Sequence, residues 1–189
     1  VSGGCSTCPT GKYEDTAGGT ECETCPAGRF GQNPGQTTLN DGCIECPLGK
    51  WTNLTATDTC KLCPTGKIGS SAGQSSVNDG CSDCQTGQWN DVEGATQCKN
   101  CTAGQFGVAS GQSTLDNGCD NCPTGKWNDL QGQSICKHCP EGQYGDVEGK
   151  NTVDGGYSPC VKGQWNDVTG QSACKSCPTG QFGNVVGQS

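Results

Sequence analysis

The sequence predicts a small disulfide-rich fold, mostly irregular with short β-hairpins, laid out as an elongated rod of tandem 38-residue modules. Three observations carry that expectation. Cysteine supplies 19 of 189 residues, and glycine, at 32, is the commonest residue. The cysteines fall into Cys-x-x-Cys pairs at a fixed, alternating step. Aromatic and glycine positions recur in the same register.

Composition excludes an ordinary core. Only 30% of residues are hydrophobic, and that share includes the cysteines. Small secreted modules of this kind replace the missing core with disulfides. A cytosolic chain with so many thiols would cross-link or need metal, so the expected location is extracellular or the cell surface. Net charge is −8, with 11 Lys and Arg, which excludes nucleic acid, whose phosphates demand a basic surface. No apolar run in this stretch approaches the ~20 residues that span a membrane, and no signal peptide is visible.

The pairs open at Cys5, Cys22, Cys43, Cys60, Cys81, Cys98, Cys119, Cys136 and Cys174. With position 157 counted between Cys136 and Cys174, successive first members lie alternately 17 and 21 residues apart, giving a period of 38 without insertion or deletion. Such a period means repeats that stack on their neighbours. The repeats are 5–42, 43–80, 81–118, 119–156 and 157–189. The last is five residues short of a full period, as expected for a window onto a longer array. Tyr157 stands where the ninth pair in chain order, ahead of the one at Cys174, should have its first cysteine, in front of Cys160.

Other columns hold the same step. Tyr13, Trp51, Trp89, Trp127 and Trp165 form one, and Phe30, Ile68, Phe106, Tyr144 and Phe182 another. Four glycine columns, starting at Gly11, Gly28, Gly31 and Gly35, run through all five repeats. They imply backbone at positive φ or in close approach. Asp41-Gly42, Asp79-Gly80 and Asn117-Gly118 read as tight-turn dipeptides just before a cysteine. Segments such as Gly125-Lys126-Trp127-Asn128-Asp129 suit two-stranded ribbons and no more. Nothing has helical periodicity over three turns, so neither helices nor large sheets are expected.

Two chemistries compete for the paired cysteines. Cys-x2-Cys-x13-Cys-x2-Cys lies near the spacing of four-cysteine zinc sites. The acidic, glycine-rich surroundings favour disulfides instead. Spacing alone leaves the connectivity open.

The run Cys8-Pro9-Thr10-Gly11-Lys12-Tyr13, closing at Cys22 and followed by Cys25, resembles the opening module of tumour necrosis factor receptor ectodomains. It is also similar to ephrin-receptor-like cysteine-rich repeats. The motif returns in nearly every half-repeat. In those receptors the second cysteine of a pair bonds forward to the first of the next. Carried over, the resemblance implies Cys8–Cys22, Cys25–Cys43, Cys46–Cys60, Cys63–Cys81, Cys84–Cys98, Cys101–Cys119, Cys122–Cys136 and Cys160–Cys174. Cys139 then faces Tyr157 and stays free, while Cys5 and Cys177 pair outside this stretch. The alternative is interleaved, Cys5–Cys22 with Cys8–Cys25, and leaves Cys174 free. The strict two-bond alternation departs from the receptor pattern, which adds three-bond crossed modules.

Candidate chemistry is sparse. His138 is the only histidine, so neither a triad nor a histidine metal site can form, and no enzyme activity or cofactor is expected. The tryptophan column could be an exposed ladder for stacking on glycans, or the cover over each module's own disulfides; the second is favoured. Acidic turns such as Asn78-Asp79 and Asn128-Asp129 could bind calcium weakly, although each offers fewer carboxylates than such sites use. Sequons place candidate glycans on Asn53 and Asn100.

These readings converge on a structural building block of an extracellular rod, stalk or filament. Its expected partners are copies of itself or further repeats, and glycans. The alternative is a ligand-binding or adhesion ectodomain of a cell-surface receptor. Uniform spacing favours the first, since a binding site needs unlike loops.

Overall fold

The structure, a computed structural model, describes residues 4–189. Its unit is written in the Cys-Pro-x-Gly-x motif. The Pro9 carbonyl accepts from the Lys12 N–H at 3.1 Å, closing a four-residue turn with Gly11 third, at φ 76°. A positive φ at that place is what a type II turn requires and glycine supplies at no steric cost. The same turn recurs at Pro26–Arg29, Pro47–Lys50, Pro64–Lys67 and Pro123–Lys126.

Two residues after the turn become a strand. Their partners are the two residues between the cysteines of the next pair. Thus Lys12–Tyr13 runs antiparallel to Glu23–Thr24, with Lys12 opposite Thr24 and Tyr13 opposite Glu23. Nine such two-stranded ribbons occur among the described residues, nearly one for every half-repeat. No sheet grows beyond two strands, so each ribbon depends on the bonds at its ends.

The dipeptides read as tight turns before a cysteine each end a helical turn. These single-turn helices are α1 (Leu39–Gly42), α2 (Val77–Gly80), α3 (Leu115–Gly118) and α4 (Val153–Gly156). This corrects the expectation of no helix. The cause is local capping. Ser76 Oγ accepts from the Asp79 N–H at 3.1 Å and donates to the Asp79 carboxylate at 2.7 Å. Thr38 and Asp41 repeat the arrangement. A hydroxyl N-cap with a carboxylate three residues on nucleates one turn, and one turn is too short to show a 3.6-residue period. The N–H of the cysteine that follows, Cys43 or Cys81, donates to the first carbonyl of its helix.

Contacts divide the chain into two units, Val1–Asp83 with Asn90–Cys98, and Cys84–Trp89 with Lys99–Ser189. In the first, disulfides join Cys8–Cys22, Cys25–Cys43, Cys46–Cys60 and Cys63–Cys81, with Cα atoms 5.4–5.9 Å apart. Its halves are stitched by backbone bonds such as Gly28 N–H to Thr52 O at 2.9 Å, Gly66 N–H to Asn90 O at 2.7 Å and Gly73 N–H to Cys46 O at 2.8 Å. Gly49 shows why glycine recurs. Its φ is 77°, and a Cβ there would collide with the Gly94 carbonyl.

The second unit follows the same plan. Disulfides join Cys101–Cys119, Cys122–Cys136 and Cys160–Cys174. Gly104 N–H donates to Asn128 O and Gly142 N–H to Asn166 O, both at 2.7 Å, and Gly149 N–H to Cys122 O at 2.8 Å. Cys84 of this unit is disulfide-bonded as well.

The core of each unit is sulfur and amide rather than hydrocarbon. Cys25, Cys46, Cys63, Cys101, Cys122 and Cys160 are fully buried. So are the polar side chains of Thr52, Asn90, Asn128 and Asn166. Tyr13 packs with Cys25 and Cys43 in one apolar cluster. No helix among the described residues is long and apolar enough to cross a membrane.

Candidate functional site: an aromatic column under lysine

The aromatic column sits at the second strand position of alternate ribbons, and the pairing register decides what faces it. Trp51 lies opposite Lys61, Trp89 opposite Lys99, Trp127 opposite Lys137 and Trp165 opposite Lys175. Each ammonium rests 4.6–4.9 Å from its indole centroid. That is a cation–π contact of about 0.5–1 kcal/mol where exposed.

Each of three lysines also reaches an oxygen two residues past its tryptophan. Lys61 Nζ donates to Asn53 Oδ1 at 2.9 Å, Lys137 to Asp129 at 2.5 Å and Lys175 to Asp167 at 2.6 Å. These lysine bonds hold the carboxyls of Asp129 and Asp167 below the usual value. In the first repeat both partners change together. Tyr13 replaces tryptophan and Glu23 replaces lysine. The Tyr13 hydroxyl hydrogen-bonds Glu23, which, with burial, pushes the phenol up to about 12.

The opposite side of the column is closed as well. A Cβ added to Gly80 would lie 3.1 Å from Trp51 Cβ, one on Gly118 3.0 Å from Trp89 Cβ, and one on Gly156 2.9 Å from Trp127 Cβ. These aromatic residues therefore lie between a lysine and the glycine that ends a helix. Their rings are half-buried or, at Trp127, 8% exposed. The column is covered by lysine on one side and by a glycine on the other, which favours the covering role over an open platform for stacking a sugar.

Sequence reading missed a second column. The Asn90 amide donates to Lys67 O at 2.9 Å, Asn128 to Gln105 O at 3.1 Å and Asn166 to Gln143 O at 2.7 Å, each 23 residues back. The signal was present in the recurring Trp-Asn-Asp, which was weighed as an acidic turn for calcium. The structure splits that turn: Asn128 is inside, and Asp129 pairs with Lys137. Asp79 is engaged in the α2 cap. Among the described residues no group of three or more His, Cys, Asp or Glu stands ready for a metal ion.

The remaining candidate residues fall into place individually. Cys5 is an exposed unpaired thiol, Cys177 a half-buried one, and Cys139 a fully buried one. Burial pushes the Cys139 thiol up. Asn53 and Asn100 are both exposed; the Asn100 oxygen accepts from Gln88 at 2.9 Å. His138 is exposed in the strand opposite Lys126. It borders a shallow groove of about 300 Å³ with Phe106, Pro123 and Ile135. The lining holds no carboxylate to orient the imidazole, so nothing there assembles a nucleophile and base.

Disulfide-closed half-repeats, ribbons of two or three residues and a half-buried or buried aromatic per repeat define a class: cysteine-rich modules of the kind that points to an extracellular or secreted location. Residues 2–41 match the family model described as tyrosine-protein kinase ephrin type A/B receptor-like. The match over residues 2–41 and the disulfides recurring at the 38-residue step support ephrin-receptor-like cysteine-rich repeats, a module family that is non-catalytic. No curated protein matched the chain.

Proposed function

We propose that the chain is a structural building block, a run of tandem modules from an extracellular rod, stalk or filament. The observation that carries this reading is the sameness of the joints. Gly28 to Thr52 and Gly66 to Asn90 in one unit have counterparts in Gly104 to Asn128 and Gly142 to Asn166 in the other, at 2.7–2.9 Å. Repeats joined by one constant set of bonds propagate with a constant step. The lysine-covered column supports the reading too, since half-buried tryptophans capped by their own repeat are poor anchors for a partner. Its partners are further repeats or copies of the array, with glycans on Asn53 and Asn100.

The family match favours a second reading, a receptor ectodomain that binds a protein ligand along its side. Electron microscopy of the native, unreduced particle separates the two. A continuous fibril with a regular axial step from the 38-residue unit is expected. A short stalk ending in a distinct head or a membrane patch would overturn the filament reading and favour the receptor.

A further inference from the structure

Each of the first four repeats opens one long loop whose ends lie 18 positions apart in sequence. Cys25–Cys43, Cys63–Cys81 and Cys101–Cys119 close three of them. The fourth begins at Cys139 and ends on Tyr157, and its thiol is unpaired. The fold hardly registers the loss. Cys139 Sγ lies 3.7 Å from the Gly156 carbonyl oxygen, against 3.5 Å for Cys101 and Gly118 and 3.4 Å for Cys25 and Gly42. Tyr157 turns the edge of its ring to Trp127, centroids 5.9 Å apart.

What holds this loop is entirely non-covalent. Gln143–Tyr144 pairs with Ser158–Pro159. Gly142 N–H donates to Asn166 O at 2.7 Å, Gly145 N–H to Gln171 O at 3.0 Å and Gly149 N–H to Cys122 O at 2.8 Å.

We infer that residues 140–156 form a yield point built into the array: under tension along the chain, this loop opens before its siblings and uncovers Cys139. The reason is the path of force. Tension follows the shortest covalent route. In a bonded loop that route crosses the disulfide, and the residues inside carry no load. From Cys139 onward the backbone is the only route, so the load falls on hydrogen bonds. Opening releases 18 steps of about 3.5 Å, roughly 63 Å. Sibling loops hold their ends 5.4–5.6 Å apart, so the gain is about 57 Å. The inference does not depend on the filament reading, because any tension on the chain, in a fibril or a receptor stalk, meets the same loop.

Single-molecule pulling of the full chain and of Tyr157→Cys tests it. The approach of Cys139 Sγ to the Gly156 carbonyl, close to that in the siblings, places the thiol of Tyr157→Cys to bond with Cys139. The native chain should show an extension of about 57 Å that disappears in the oxidised variant. Identical traces from both, with the new bond verified by mass, would overturn the inference. Native-state hydrogen exchange decides independently, even if the variant does not pair. The amides of Gly142, Gly145 and Gly149 should exchange on the order of 100-fold faster than those of Gly104, Gly107 and Gly111. Equal protection of the two sets would contradict it.

Discussion

Ala56 occupies a glycine's place. Among the described residues it alone is not glycine yet has a positive φ, 54°. Its register-mates Gly18, Gly94, Gly132 and Gly170 have φ of 70–84°. A left-handed alanine carries a penalty of about 1–2 kcal/mol, against about 0.5–1 kcal/mol of extra chain entropy lost by glycine. Ala56→Gly should therefore raise stability by up to about 1.5 kcal/mol, read from the guanidinium midpoint with disulfides intact. Gly49→Ala should lower it by about 2 kcal/mol or more, since left-handed strain adds to the collision with Gly94. This further glycine column was hidden in the sequence because Ala56 interrupts it. The asparagine column was hidden for another reason: asparagine is common in turns, and nothing in Trp-Asn-Asp says which polar residue turns inward. Asn166→Ala strips the Gln143 carbonyl of a buried donor and should cost about 1–3 kcal/mol in the same measurement.

At the scale of the element, the ribbon explains why aromatic and lysine travel together. Tryptophan at a strand's second position faces the first residue after a cysteine. The exchange of both partners in the first repeat, to Tyr13 and Glu23, fits a pairwise contact better than two separate surface residues. The aromatic period was legible in the sequence. The lysine was not singled out, since a charged residue every 38 positions reads as solvated surface until the register is known. Asp129 and Asp167 supply a pH prediction. Their folded-state values are depressed by Lys137 and Lys175. Their contribution is present above the ordinary carboxylate value near 3.9 and is lost as pH falls through the lower folded value. Carboxyl NMR titration should place both midpoints below that value in the native chain, and Lys137→Met should return Asp129 towards it. Single-turn helices were illegible to periodicity, yet the Ser76-x-x-Asp79 cap was there to be read. Ser76→Ala should cost about 1 kcal/mol.

For the whole molecule, disulfides stand where a hydrocarbon core would be. Closing a loop of about 15 residues restricts the unfolded chain by roughly 3 kcal/mol on the entropic account, and the ladder repeats that gain from module to module. The disulfide-rich, irregular, ribbon-based fold was legible from cysteine count and step alone. The partner of each cysteine was not, because forward and interleaved schemes use the same spacing and only the resemblance to receptor modules separated them. The division into two contact units was not legible either, since the period runs through it unchanged. Forward closure is the claim on which the rest stands: it leaves Cys139 without a partner, sets the ribbon register and places one lysine over each tryptophan. The measurement that tests it most directly is peptide mapping of the unreduced, alkylated chain by mass spectrometry. The account predicts Cys8 with Cys22, Cys25 with Cys43, Cys122 with Cys136 and Cys160 with Cys174, and Cys139 as a free thiol. Cys5 bonded to Cys22 and Cys8 to Cys25, with Cys174 free, would contradict it.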